Sequence, residues 1–476
     1  MRIPALFFAT ALLVAASALA HEPAFDAHFE PRTMRVDYFH TGGMGEEIIS
    51  LDRVVNDGSW AGPRDHRLID TLDLGKYRFV VRDLATHSEI YSRGFSSIYG
   101  EWETTPDAKT RHQTFHESLR FPWPKGAVEV ILEKRGVQSS FAPIWTTVID
   151  PASRQVNRGS LAPLAEVYTV FESGPPEEKV DLLFLGEGYA SSEIGKFQAD
   201  ARRLADYLFS IEPFKSRRGD FNVRAIAPPS AESGVHRVRA GQNRRTPMSV
   251  EYNIFDSERY VLTLDNRALR DVASAAPYEF VEILVNEDQY GGGGIYGLHS
   301  TAAAQNDFAD YLVVHEFGHH FAGLGDEYYT SPVAYETGAA FHPEPWEPNI
   351  TALHDPDNLK WKDLVAAGIP IPTPWRKAEF EKHSRAAQKE RAELRAAGAS
   401  EEALARLFRK QQAWEEAFLS AEKHAGVVGA FEGASYEPTG LYRPQADCIM
   451  FTRDRVGFCR VCDRAIQRVI DLYAGK

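Results

Sequence analysis

Cysteine is scarce in this 476-residue chain, with three residues in all: Cys448, Cys459 and Cys462. That excludes a scaffold framed by several disulfides and allows one bridge at most. Long apolar runs are also missing. Beyond the first twenty residues no stretch reaches the ~18 consecutive apolar positions that a membrane-spanning helix needs. Basic excess is absent too, since Lys and Arg number 53 against 67 Asp and Glu, a net charge of −14. Such a balance argues against nucleic acid or an anionic membrane as partner. What remains is ordinary globular composition, 43 % hydrophobic and 25 % charged, in a chain long enough for two or three domains.

Residues 1–20 carry an early Arg2, an apolar stretch from Ala5 to Ala16 and the small-residue ending Ala18-Leu19-Ala20. This is the pattern of a secretory signal peptide cleaved after Ala20, so the protein is expected to be exported, periplasmic or secreted. From residue 21 to about Asp150 the pattern is β. Met34–Phe39, Lys76–Val81, Thr114–Phe121, Ala127–Lys134 and Ile144–Ile149 are short runs rich in Val, Ile, Tyr and Phe, separated by turn formers such as Asp57-Gly58. They predict a β-sandwich accessory domain. His40, His66, His87, His112 and His116 lie in it without ligand spacing.

A proline-containing linker, residues 151–178, leads to a different regime. Lys179–Leu185 is an apolar strand and Ser191–Phe214 has helical periodicity; Phe221–Ile226 and Phe280–Val285 are further strands. The alternation predicts an α/β layer arrangement over residues 179–476, so the fold class is α+β / α/β. Residues 373–425 read as an inserted helical hairpin: Trp375–Ala397 and Glu401–His424 flank Gly398, and Ser400 is placed to cap the second helix.

The chemistry concentrates in residues 308–328, FADYLVVHEFGHHFAGLGDEY. His315 and His319 are four apart, which on a helix stacks both imidazoles on one face within reach of a single Zn²⁺. Glu316 stands where a carboxylate can take a proton from metal-bound water. His320 points about 100° away from His319 and is read as non-ligating. Gly323 lets the chain leave the helix, and Asp326 arrives where a third ligand is needed, with Glu327 as the alternative.

At these residues the chain resembles the metzincin metallopeptidases, with one residue inserted before the motif glycine. It is closer still to the M64 family typified by bacterial immunoglobulin A proteinases, whose signature joins HEFGH to AGL-x-DEY. The resemblance implies an N-terminal accessory domain and a metzincin-like zinc peptidase domain. It implies that Gly291–Gly294 belong to an edge strand bordering the cleft, where an extended peptide can pair. Asp447-Cys448-Ile449-Met450-Phe451 is similar to the methionine turn beneath the metal, with Met450 as a non-ligating floor. Tyr442 is carried over as an oxyanion stabiliser. The three cysteines suggest a bridge from Cys448 to Cys459 or Cys462; the pair Cys459 and Cys462 is also half of a metal-site pattern, for which Cys448 with Asp447 or His424 is an awkward completion.

The reading is an exported, zinc-dependent endopeptidase acting on protein or peptide substrates, with one catalytic Zn²⁺ and Glu316 as general base. The alternatives are an exported binding or adhesion protein with a structural or vestigial site, and a hydrolase whose third ligand is a distant glutamate.

Overall fold

The computed structural model describes residues 23–475, apart from 44, 66, 336, 337, 339 and 340. The leader segment 1–20 and His66 lie outside the described residues. Among those described, no helix is long and apolar enough to cross a membrane.

The N-terminal part is strand-rich: β1 (Phe29–Gly43), β2 (Glu46–Ser59), β3 (Tyr77–Asp83), β4 (Glu89–Phe95), β5 (Gln113–Pro124), β6 (Val128–Arg135), β7 (Phe141–Ile149) and β8 (Val156–Asn157). They form two four-stranded sheets, ordered β5-β1-β2-β8 and β4-β3-β6-β7. Inward residues of both sheets, among them Met34, Val36, Tyr38, Phe79, Val81, Phe121, Val130 and Leu132, share one core, as two-residue alternation requires of a sandwich. β2 begins in a polar run, Glu46-Glu47, and spans Asp57-Gly58, which the sequence marks as a turn; Gly58 takes φ 88° inside the strand end. Pairing with β1 over eleven registered positions carries the strand past these weak formers, with a bulge that leaves Asp57 and Gly58 out of register.

The second part is built on a six-stranded sheet. After β9 (Val167–Phe171), β10 (Val180–Glu187) and β11 (Phe221–Ile226) come a small pair, β12 (Val250–Tyr252) and β13 (Val261–Thr263). Then follow β14 (Phe280–Val285), β15 (Gly292–Ile295) and β16 (His299–Ala303), and the sheet order is β15-β16-β14-β10-β11-β9. The four central strands run parallel, and both edges, β9 and β15, are antiparallel to their neighbours. β10 is buried along its entire length, as a parallel strand covered on both faces must be. Its side chains alternate between two cores. Leu182 and Phe184 meet the helices Ile194–Leu208, Ala309–Ala322 and Arg460–Ala474. Leu183 and Leu185 face Val250, Tyr252 and the helix Asn266–Ala273.

The helices Lys377–Ala396 and Glu401–Ser420 pack as a hairpin, turning at Gly398 with φ 66°. The Ser400 hydroxyl accepts from Ala403 N at 3.3 Å. Phe380, Phe408, Phe418 and Leu419 join the main core, so this element is seated on the body of the protein.

The two parts are fastened by more than the linker. Arg35, fully buried in the sandwich, reaches Asp37, Asp57 and, at 2.6 Å, Asp271 of the second part. Ile98, Tyr99, Trp102 and Phe115 share a cluster with Ile254, Leu262, Ile295 and Leu298.

Candidate active site

The helix Ala309–Ala322 is apolar on most sides, which places it inside the protein rather than on its surface. It ends at Gly323, whose φ of 61° is the left-handed conformation glycine adopts without strain. Gly323 N bonds to His319 O at 3.1 Å and Leu324 N to Gly318 O at 3.3 Å. This cap reverses the chain, so that Leu324 O comes back to His319 Nδ1 at 2.5 Å. Asp326 then faces the histidines.

Three atoms converge. His315 Nε2 and His319 Nε2 are 3.2 Å apart, and Asp326 Oδ1 lies 3.1 Å from the first and 3.3 Å from the second. Metal–ligand bonds of about 2.0–2.1 Å imply tetrahedron edges of about 3.3–3.4 Å. The triangle has nearly that size. Both histidines are oriented from behind: His315 Nδ1 lies 3.0 Å from Ile449 O and 3.0 Å from Tyr311 Oη. With Nδ1–H donated to a carbonyl, the Nε2 lone pair is directed at the common point. Asp326 Oδ1 is buried and faces no donor other than the two imidazoles, which leaves it open as a ligand atom. The residues fit a divalent ion.

Glu327 turns the other way. It is fully buried against Cys462 Sγ, 3.4 Å from Oε1, so it does not share a point with the histidines. His320 points into the protein: Val281 N donates to its Nε2 at 3.1 Å, and its Nδ1 lies 3.1 Å from Ile295 O. Burial pushes its pKa down to about 3, and the neutral ring ties the helix to the sheet.

Burial also depresses the charged form of His319, but Asp326 outweighs that effect and raises its pKa to about 9. Asp326 is held well below the ordinary carboxylate range, burial being outweighed by His319 and His315. The Glu316 carboxyl is raised, chiefly by burial. It projects toward β15, where a Cβ on Gly292 would come 3.0 Å from Glu316 Oε1, and one on Gly294 2.2 Å from Glu316 O. Gly292 and Gly294 thus form the surface on which the helix approaches the edge strand, while Gly291 and Gly293 face Tyr252, Val261, Tyr260 and Leu262. Glycine is needed there for room.

Met450 is fully buried, and its Sδ would lie 3.1 Å from a Cβ added at Gly318. It therefore packs beneath the turn between the two histidines, and its carbonyl accepts from Glu327 N at 2.9 Å. Tyr442 does not reach the site. It lies in β18 (Glu437–Arg443), paired with β17 (Phe431–Ala434), and its backbone exchanges hydrogen bonds with Thr351 at 2.9 and 3.1 Å. Strand alternation turns Leu441, not Tyr442, toward the cleft. The tyrosine that does arrive is Tyr436, whose hydroxyl donates to Asp326 Oδ2. It stands at the hairpin tip between β17 and β18, where Ser435 and Tyr436 have φ of 47° and 67°. A two-residue hairpin of this type asks for positive φ at both positions, normally met by Asn-Gly. Ala-Ser-Tyr-Glu carries no such signal, which is why the turn is invisible in the sequence. Ser435 N to Asp326 O, 2.8 Å, and Tyr436 N to Tyr328 O, 3.0 Å, hold the strained tip against the ligand loop.

The expected bridge among the cysteines is not formed. All three are free, with Cys448 and Cys462 sulfurs 3.8 Å apart. Backbone placement brings the three thiols to one point beside Glu327 instead of facing two in bonding geometry.

The histidines open onto a cleft of ≈ 680 Å³. One wall is β15, another is made by residues 333–335 and 342–347 with the Ser435–Glu437 tip. The third comes from the sandwich, with Lys76, Glu101 and the Arg135–Ser139 turn. Glu101 is fixed in place by the hydroxyls of Tyr260 and Tyr335, the latter at 2.8 Å. Arg259, which lines the same cleft, donates to Tyr328 Oη at 2.9 Å.

A layered sheet with an antiparallel edge strand, and an H-E-x-x-H helix beside it at the floor of a cleft, define a metallopeptidase-like catalytic unit. Comparison with known families agrees. Residues 168–470 match the family described as IgA Peptidase M64, and residues 24–146 match the Peptidase M64 N-terminus. The chain belongs to the M64 peptidase family. No curated protein matches it.

Proposed function

We propose that this protein is an exported zinc-dependent endopeptidase, with His315, His319 and Asp326 as metal ligands and Glu316 as general base. The observation that carries the reading is the triangle of Nε2, Nε2 and Oδ1 atoms, 3.1–3.3 Å on a side, opening onto the cleft. Zinc bound there would polarise a scissile carbonyl and bring the pKa of bound water to ≈ 7.

The chain's own residues perform the rest. Glu316, its basicity raised by burial, takes the proton of the attacking water at its carboxylate and gives it to the departing amine. β15 offers backbone to an extended substrate beyond the point where Tyr260 bridges to Gly292. The sandwich wall restricts the approach of substrate, an accessory role for residues 21–150. The leader pattern at residues 1–20 supports export. Protein or peptide is the substrate class that family membership supplies.

The test is Glu316→Gln. It is expected to retain one zinc at the histidine site and to lose about 10²–10⁴-fold in kcat on a quenched-fluorescent peptide library. Full activity in that variant removes Glu316 from the role. Metal content measured alongside in Asp326→Ala should fall by one ion per chain; unchanged zinc there moves the third ligand elsewhere. A binding or adhesion protein with a structural site would lose the ion in Asp326→Ala but would show no peptidase activity for Glu316→Gln to remove.

A further inference from the structure

Behind the ligand loop, on the side away from the cleft, lies a second convergence of donor atoms. One oxygen of Glu327 and the sulfurs of Cys448, Cys459 and Cys462 all lie within 4.8 Å of one another, and all four residues are buried. We propose that these four residues form a second, structural metal site for a thiophilic divalent cation of the zinc type, with Cys₃-carboxylate coordination.

Geometry carries the assignment. Cys448 Sγ to Cys462 Sγ is 3.8 Å and Cys462 Sγ to Glu327 Oε1 is 3.4 Å. A tetrahedral ion with bonds of about 2.3 Å to sulfur and about 2.0 Å to oxygen has edges of about 3.8 Å and about 3.5 Å. The surroundings are those of metal-bound thiolates. Cys459 N–H points at Cys448 Sγ at 3.3 Å, and Cys462 N–H at Cys459 Sγ at 3.5 Å. Cys459 is the N-cap of the helix Arg460–Ala474, so the positive end of that helix faces the sulfurs. The carboxylate is held from outside by Asn349, which donates to Oε1 at 3.0 Å. Glu327 Oε2, fully buried, has no hydrogen-bond partner. Buried Arg443 is within electrostatic reach of Glu327 and offsets part of the anionic charge. Without an ion, Glu327 Oε2 is left unsatisfied among three buried thiols; soft thiolate donors with one oxygen suit zinc.

The site would tie the loop after the histidine helix to two segments more than a hundred residues later, the Cys448–Met450 turn and the start of the C-terminal helix. It stands independently of the catalytic reading. Asp326 serves one centre and Glu327 the other, back to back on consecutive residues.

The test uses the full chain purified in zinc-supplemented buffer without chelator. In the double variant His315→Ala/His319→Ala, the expected result is one zinc per chain. Its X-ray absorption fine structure should be fitted by three sulfurs at about 2.3 Å and one oxygen. In wild type, three thiols should react with a thiol reagent in denaturant with chelator and without reductant, and none in the native state. Absence of zinc from the double variant, a shell of nitrogen and oxygen only, or one reactive thiol in the denatured chain, which signals a disulfide, would each overturn the proposal. One sulfur-bound zinc in wild type, unchanged by the double histidine variant, would uphold this site while sinking the catalytic one. Because Cys462→Ser can unfold the chain, it is used as a second measurement. Chelation should lower the Tm of wild type by several degrees more than that of the variant, and equal shifts speak against the site.

Discussion

Asp326 and His319 hold each other in opposite charge states when no ion lies between them. His319 has its pKa raised to about 9. Its contribution to metal-free stability is therefore fully present below about 6.5, the unfolded value, and is lost as pH rises through 9. Asp326 is depressed, so its contribution is present above about 3.9 and is lost as pH falls through its lowered value. Between those limits the metal-free protein keeps an internal ion pair that an incoming cation replaces. Zinc binding at pH 7 should expel about one proton from His319. Calorimetry in two buffers of unlike ionisation enthalpy reads this directly, and zero proton release would contradict the ion pair. Tyr436 acts at the same scale by fixing Asp326 through Oδ2. Tyr436→Phe should weaken zinc affinity about 10–100-fold, measured against a competing chelator, with the fold unchanged by circular dichroism. Of these residues, the histidine pair, Glu316 and Asp326 were legible because their spacing is local. Tyr436 was not, since its approach depends on a strained tip that meets the loop from 110 residues away.

Among the elements, β15 and the histidine helix define each other. Backbone-to-backbone closeness at Gly294 leaves no room for a methyl group. Gly294→Ala should lower stability by about 1–3 kcal/mol, as overpacking does, and should depress kcat through displacement of Glu316; a denaturant titration and a rate measurement would show both. A glycine run in a sequence points to several structures at once, and only the edge position explains this one. The hairpin helices appear within four residues of their expected ends, because a buried stripe and a cap are written in adjacent positions, as at Ser400 and Gly398; the stretch read over Ser191–Phe214 is helical only over Ile194–Leu208. β2 was hidden because its strand character comes from β1 and not from its own polar residues. The cysteine cluster was hidden for a related reason. Its fourth member, Glu327, lies 121 residues before Cys448, and no local pattern joins them.

For the molecule as a whole, the sandwich is a wall of the cleft and not a detached module. Val137, at the tip of the Arg135–Ser139 turn, is 82 % exposed at the rim. Val137→Asp should raise KM by roughly fivefold, corresponding to about 1 kcal/mol of lost apolar contact, while metal content stays unchanged. An unaltered KM across the peptide library would mean that substrates do not touch this wall.

The placement of Tyr436 and Met450 also bears on time. The histidine helix is synthesised well before the hairpin tip that grips Asp326 and the methionine that supports Gly318. Chains are made from the N-terminus, and contacts between distant segments form late. A growing polypeptide therefore carries the H-E-x-x-H sequence through much of its synthesis without the parts that hold its ligands in place. On the zinc-site reading proposed above, the histidine helix gains these supports only once residues 436–450 have been made.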